Sequence, residues 1–217
     1  MNRFLLCATA ALVLVDSTDL DHSVQERLYD REHGTWLVSR ESKLLRVLLY
    51  TGPKVVLATA GGLALVLALG FPGLRARLRL DRRRTLFVLT CLAVVPGTIA
   101  ALKATNGLCC PRHLERYGGL HPYVRLSELP PPPPHGGRCF PAGHASGGFA
   151  LMSLFFALPR ARWKGLALGL VAGWTTGLYQ MANGAHFASH TVVTMFLAWL
   201  LILAMARVFD LPSPANR

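Results

Sequence analysis

Long apolar runs separated by short charged connections make up most of the chain. Residues 4–15 form the first run, behind Arg3. It falls short of the roughly 20 residues that a spanning helix needs. We expect a membrane helix there, with a signal segment or a helix that starts further upstream as the alternatives. Residues 44–71 are apolar apart from Arg46 and Lys54, and residues 85–102 carry no charge. Runs 145–158, 165–183 and 191–206 follow. Together they predict an all-α polytopic membrane protein, a six-helix transmembrane bundle forming a single domain over residues 1–217. Two polar stretches interrupt it. Residues 16–43 hold seven of the eleven acidic residues and read as an amphipathic, partly helical surface segment. The long loop 103–143 contains prolines 130–134, which favour an extended polyproline spacer.

Composition agrees with membrane insertion. Of 217 residues, 52% are hydrophobic and 16% charged, where a soluble domain carries about 25% charged residues. The net charge of +12 is clustered: Arg75, Arg77, Arg79, Arg82, Arg83 and Arg84 form one basic run, and Arg160, Arg162 and Lys164 another. Cytoplasmic loops collect such charge. With Arg3 and Arg207 these runs define an inner side, so residues 16–43, 103–143 and 182–190 share the outer side. The same argument accounts for the high positive charge without a nucleic-acid partner; we expect the membrane to be an inner (plasma) membrane. Of five cysteines, Cys7 and Cys91 lie in apolar runs. Cys109, Cys110 and Cys139 lie in the outer loop, where Cys139 could pair with Cys109 or Cys110 in an oxidising compartment.

Candidate chemistry concentrates on that outer side. Cys139-Phe-Pro-Ala-Gly-His144-Ala-Ser146 closes the long loop and opens an apolar run. The N–H groups of Gly143, Ala145 and Ser146 at a helix start suit an anion. Gly184-Ala-His186-Phe-Ala-Ser-His190 marks a second boundary, and one turn of helix would set His190 on the face of His186 to orient it. Lys103 ends the run before the loop. A phosphate ester could be handled by His186 as nucleophile, His144 as acid for the leaving oxygen, and Lys103 as a charge partner. The rival is zinc on His186 and His190 with Cys139 or His144. Phe187, however, occupies the place of the glutamate in a zinc-protease helix.

These residues resemble the type-two phosphatidic acid phosphatase and haloperoxidase superfamily. Its pattern is Lys-x6-Arg-Pro, then Pro-Ser-Gly-His, then Ser-Arg-x5-His-x3-Asp. Here the chain reads Lys103-x6-Cys110-Pro111, Pro141-Ala142-Gly143-His144 and Tyr179-Gln180-x5-His186-x3-His190. The resemblance covers residues 85–206. It implies a membrane-bound lipid phosphatase in which Lys103 binds phosphate, His144 is the general acid and His186 forms a phosphohistidine. It implies no metal and no other cofactor, with a lipid phosphate or diphosphate as substrate. Cys110 and Gln180 stand where the family has arginines, Ala142 replaces its serine, and His190 its aspartate. Arg112 and Arg138, in the same outer loop, are the candidates to replace a lost guanidinium. The alternative expectation is an impaired member that binds a lipid phosphate or a membrane partner without turnover.

Overall fold

The computed structural model describes residues 17–77, 81–128 and 137–212. The first apolar run, with Cys7 and the expected first helix, and prolines 130–134, with the expected polyproline spacer, lie outside the described residues.

The polar segment before the bundle is folded. Helix α1 (Leu20–Glu26) leads to a hairpin of strands β1 (Tyr29–Asp30) and β2 (Thr35–Trp36), with Tyr29 opposite Trp36. This hairpin is a small addition to a chain that is otherwise mostly helical among the described residues. Its turn is shaped by Asp30, whose carboxylate accepts from the N–H groups of Glu32 and His33, and by Gly34 at φ +65°. A short aspartate and a glycine in left-handed backbone are what a tight reversal requires.

Helix α2 (Lys43–Gly70) starts at Ser42, whose hydroxyl accepts from the Leu45 N–H at 3.4 Å. It contains a π-helical turn over Val47–Thr51. Gly52 permits that turn, since a Cβ there would lie 2.7 Å from the Val47 carbonyl oxygen. Only 6% of the most apolar window of α2 is buried. Leu44, Leu48, Val55, Val56, Leu63 and Val66 point outward. An outward apolar face of that extent is unstable in water and natural in lipid.

Short helix α3 (Pro72–Arg77) precedes α4 (Arg82–Ala104), which Asp81 caps through the Arg84 N–H at 3.2 Å. Helix α5 (Gly143–Ala150) continues through a 3₁₀ turn (Leu151–Ser153) into α6 (Leu154–Ala157). Helices α7 (Arg162–Ala182) and α8 (Ala188–Val208) complete the bundle. Among the described residues, α2, α4 and α8 are long and apolar enough to cross a membrane. The predicted fourth span is the shorter, broken α5–α6. The fifth, α7, gives up apolarity to glycines.

Those glycines put α7 at the centre. Gly165, Gly169, Gly173 and Gly177 recur every fourth residue and are all buried. A Cβ on Gly169 would overlap the Met152 backbone, and one on Gly173 the Phe149 ring. Helices α5 and α7 therefore meet backbone to backbone, as small residues allow in bilayers. Phe87, Val95, Phe149, Met152, Ala198 and Ile202 close the core around them.

The bundle has two chemically distinct ends. At one, Arg83 pairs with Asp210 at 2.9 Å, and Trp199 packs on Phe155 and Phe156. At the other, the three segments expected on the outer side meet. Gln25 donates to the Met181 carbonyl at 2.9 Å, Val38 N–H to the Ala182 carbonyl at 3.1 Å, and Arg112 N–H to the Gly184 carbonyl at 3.1 Å.

Candidate active site

His186 is held in the turn between α7 and α8. Asn183 and Gly184 end α7, with Gly184 at φ +70°. The Gln180 carbonyl then accepts from the N–H groups of Ala185 (2.8 Å) and His186 (3.3 Å). The Trp36 indole lies against Gly184 where any side chain would sit. Phe187 is extended, and α8 begins at Ala188. His186 therefore precedes the helix, which corrects the expectation that it shares a helical face with His190. The two rings still meet edge to face, with centroids 5.8 Å apart.

Asp21 fixes the start of α8. Its carboxylate accepts from the Ser189 N–H at 2.9 Å and from the Ser189 hydroxyl. A buried anion at a helix N-terminus satisfies orphan donors and complements the helix dipole.

His144, second residue of α5, is set by the approach to that helix. The Asn106 amide donates to both the Leu102 and Phe140 carbonyls, at 2.9 and 2.7 Å. Ala142 N–H donates to the Thr194 hydroxyl at 2.8 Å. Cys110 and Cys139 form a disulfide, which settles the partner of Cys139 and leaves Cys109 a free thiol. Strand-like pairing of Cys139 N–H with the Leu108 carbonyl at 2.8 Å reinforces it.

The two histidines from separate elements meet. His144 Nδ1 lies 3.1 Å from His186 Nε2. His186 is 1% exposed. Burial first, then the neighbouring His190, His144 and Lys103, holds its pKa well below the usual imidazole value, so the ring is neutral at physiological pH. Nδ1 of His186 and Nδ1 of His190 are both buried without a hydrogen-bond partner among the described residues. Lys103 lies beside Gly143, close enough for its charge to be felt at His186.

Two cavities meet at Tyr50 and His144. One, of about 640 Å³, is almost wholly apolar and runs between α2, α4, α5 and α7, past Leu57, Leu65, Leu92 and Leu151. The other is a polar cleft of about 190 Å³ lined by Arg40, Arg46, Arg112, Gln180 and Asn183. Tyr50 sits in the π-helical turn, its ring 5.0 Å from that of His144, with the Lys54 ammonium 3.8 Å from its centre.

Other expected contacts fall elsewhere. Ala145 and Ser146 are buried; the Ala145 N–H is taken by the Ala142 carbonyl at 3.1 Å and the Ser146 hydroxyl by the Gly143 carbonyl at 2.7 Å. That leaves Gly143 and His144 as the half-buried edge of the helix start. Arg112 reaches the cleft, whereas Arg138 is exposed, with φ +59°, and lines neither cavity. Gln180 lines the cleft but its amide oxygen is engaged by Asn183 at 3.3 Å. Tyr50, Arg40 and Arg46 were not singled out as site residues from the sequence. For Arg46 the signal was its place, with Lys54, as a cation interrupting an apolar run; Tyr50 and Arg40 carried none.

Residues 84–212 match the PAP2 superfamily. No curated protein and no solved structure matches the chain.

Proposed function

Since the chain belongs to the PAP2 superfamily, whose activity is of phosphatase type, we propose that it is an integral membrane phosphatase acting on a lipid phosphate or diphosphate through a phosphohistidine. The observation that carries this reading is the 3.1 Å approach of His144 Nδ1 to His186 Nε2 where an apolar cavity meets a cationic cleft. The cavity suits a hydrocarbon chain and the cleft a phosphate, which is the amphiphilic division of a lipid phosphate.

In the proposed reaction, the neutral His186 Nε2 attacks phosphorus and the phosphorus–oxygen bond to the lipid breaks. His144, made an imidazolium by the proton that the bound phosphate monoanion carries in, gives its Nδ1 proton to the departing oxygen and returns to the neutral ring, yielding a lipid alcohol (or monophosphate) and phosphohistidine. Water, deprotonated by His144, then releases inorganic phosphate and restores both rings. A reacting nitrogen and phosphorus alone need about 3–3.5 Å, so substrate must part the two rings to enter. Lys103 and Arg112 balance charge on the transferred group. His190 packs on His186 and Phe140 and acts as a positioning residue. In this reading residues 4–15 add the sixth helix and the site faces the exterior.

Purified protein in detergent should release phosphate from phosphatidate or a polyprenyl diphosphate. His186→Ala should abolish release, and His144→Ala should reduce it by about 10²–10⁴-fold. Equal, slow release by wild type and His186→Ala would remove the catalytic claim. The second reading, a lipid-phosphate binder without turnover, rests on Cys110 being tied in a disulfide and Gln180 engaged by Asn183. Neither can supply a guanidinium.

A further inference from the structure

The polar cleft gathers guanidinium groups and no carboxylate. Arg40, Arg46 and Arg112 line it, with Gln180 and Asn183 contributed by the end of α7 and the turn beyond. None of the three arginines takes part in an ion pair among the described residues, whereas Arg31, Arg83, Arg84 and Arg116 each meet a carboxylate. Arg40 and Arg112 are near enough to repel. After burial, the charge of Arg40 is the next cause lowering the Arg112 pKa. Like charges assembled without counter-charge raise the energy of the empty site and lower that of an anion-bound one.

The arginines are held there by built structure. Val38 N–H is bonded to the Ala182 carbonyl just before Arg40, and Ser42 caps α2 just after it. Arg46 follows one turn into α2, its N–H bonded to the Ser42 carbonyl at 3.0 Å. Both side chains thus enter the cleft from the segment preceding the family-matched residues 84–212. They stand beside Gln180, at the place where the motif has lost an arginine.

We propose that Arg40 and Arg46 are substrate-binding residues that grip the phosphate, supplying from outside the family core the guanidinium charge that Cys110 and Gln180 do not. This rests on the phosphatase reading for its substrate, and on the cleft alone for its anion. A planar guanidinium offers paired donors that match phosphate oxygens, which a lysine cannot reproduce.

The test uses the full chain in a neutral detergent, with phosphatidate in mixed micelles as substrate and inorganic phosphate as the probe anion. Arg40→Gln with Arg46→Gln should raise both the KM for phosphatidate and the Ki of inorganic phosphate at least tenfold. Arg40→Lys with Arg46→Lys should recover only part of the loss. Arg31→Gln should change neither. An unchanged Ki in the double glutamine variant overturns the assignment while leaving the phosphatase reading intact; that includes the case where the arginines merely attract anionic membrane surfaces. Should wild type release no phosphate, direct binding of inorganic phosphate decides separately. Loss of that binding in the double variant supports the site, and equal or absent binding in both proteins overturns it.

Discussion

Asp21 offers the sharpest test of how the site is held, because it lies far from the histidines in sequence and outside the family-matched residues. Its carboxylate is 3% exposed and accepts from both the backbone N–H and the hydroxyl of Ser189. Replacing it by alanine removes two charge-assisted bonds and leaves buried donors at the start of α8. Each such bond is worth about 1.5–3 kcal/mol, and helix caps alone about 1 kcal/mol. Partial relaxation and water entry reduce the sum, so we expect Asp21→Ala to cost about 2–4 kcal/mol. For a chain of this size that corresponds to a Tm lower by about 5–15 °C.

Function should suffer as well. Ser189 lies three residues beyond His186 and one before His190, so freeing the first turn of α8 loosens both rings. Misplacement by about 1 Å can cost on the order of 10²-fold in rate. We expect kcat to fall at least tenfold at temperatures where the variant remains folded. Asp30 provides the control: its carboxylate bonds only within its own exposed hairpin, and Asp30→Ala should change Tm little and kcat not at all. The assay pairs thermal unfolding in detergent with phosphate release. An Asp21→Ala protein matching wild type in both would refute the claim that the N-terminal segment positions the site.

Three further outcomes follow from the same structure. Gly169→Ala should force α7 away from the Met152 backbone and cost about 1–3 kcal/mol; Gly62→Ala, with open space around it, should be neutral or stabilising by up to about 1 kcal/mol, both read by thermal unfolding. Reduction of the Cys110–Cys139 bond, or Cys110→Ser with Cys139→Ser, opens a loop of sequence separation 29 and should cost about 3–4 kcal/mol; Cys109→Ser should have little effect on the melting curve. Burial first holds the pKa values of His22, His113 and His186 below the usual 6.5. Below pH 6.5 the unfolded chain binds protons that the folded chain refuses, so stability should decline as pH falls through that value. The acid limb of kcat/KM should lie lower still, because His186 keeps its lone pair; a limb at or above pH 6.5 would contradict the assignment of His186 as nucleophile.

Much of the site was legible because membrane topology is one-dimensional. Basic runs at residues 75–84 and 160–164 put residues 16–43, 103–143 and 182–190 at one end, and His144 and His186 then had little choice but to approach. Their register was harder to read. His186 was expected on a helix with His190, yet Asn183-Gly184 stops α7, and a glycine in left-handed backbone is a helix terminator that the motif spacing concealed. Arg138 was a candidate to replace a lost guanidinium because it lies in the same outer loop as Arg112. The disulfide turns its neighbour Cys139 inward, while Arg138 itself remains exposed. The four-residue glycine period of α7 was present in the sequence as a packing signal.

The N-terminal segment was the least legible part, for a physical reason. Its acidic and aromatic residues look like a solvated surface when only hydrophobic period is considered. What they do depends on distant partners: Asp21 on Ser189, Gln25 on Met181, Trp36 on Gly184 and His22 on Tyr117. No local pattern encodes such contacts. Nor does a family motif, because the matched residues begin only at 84. The same segment carries Arg40 and Arg46 to the cleft beside the altered motif positions. With Cys110 and Gln180 in place of arginines, the proposed site draws its positive charge from Lys103 and Arg112 within the family-matched residues and, in our proposal, from Arg40 and Arg46 outside them. In this fold the segment that clamps the His186 turn is also the one placed to deliver it.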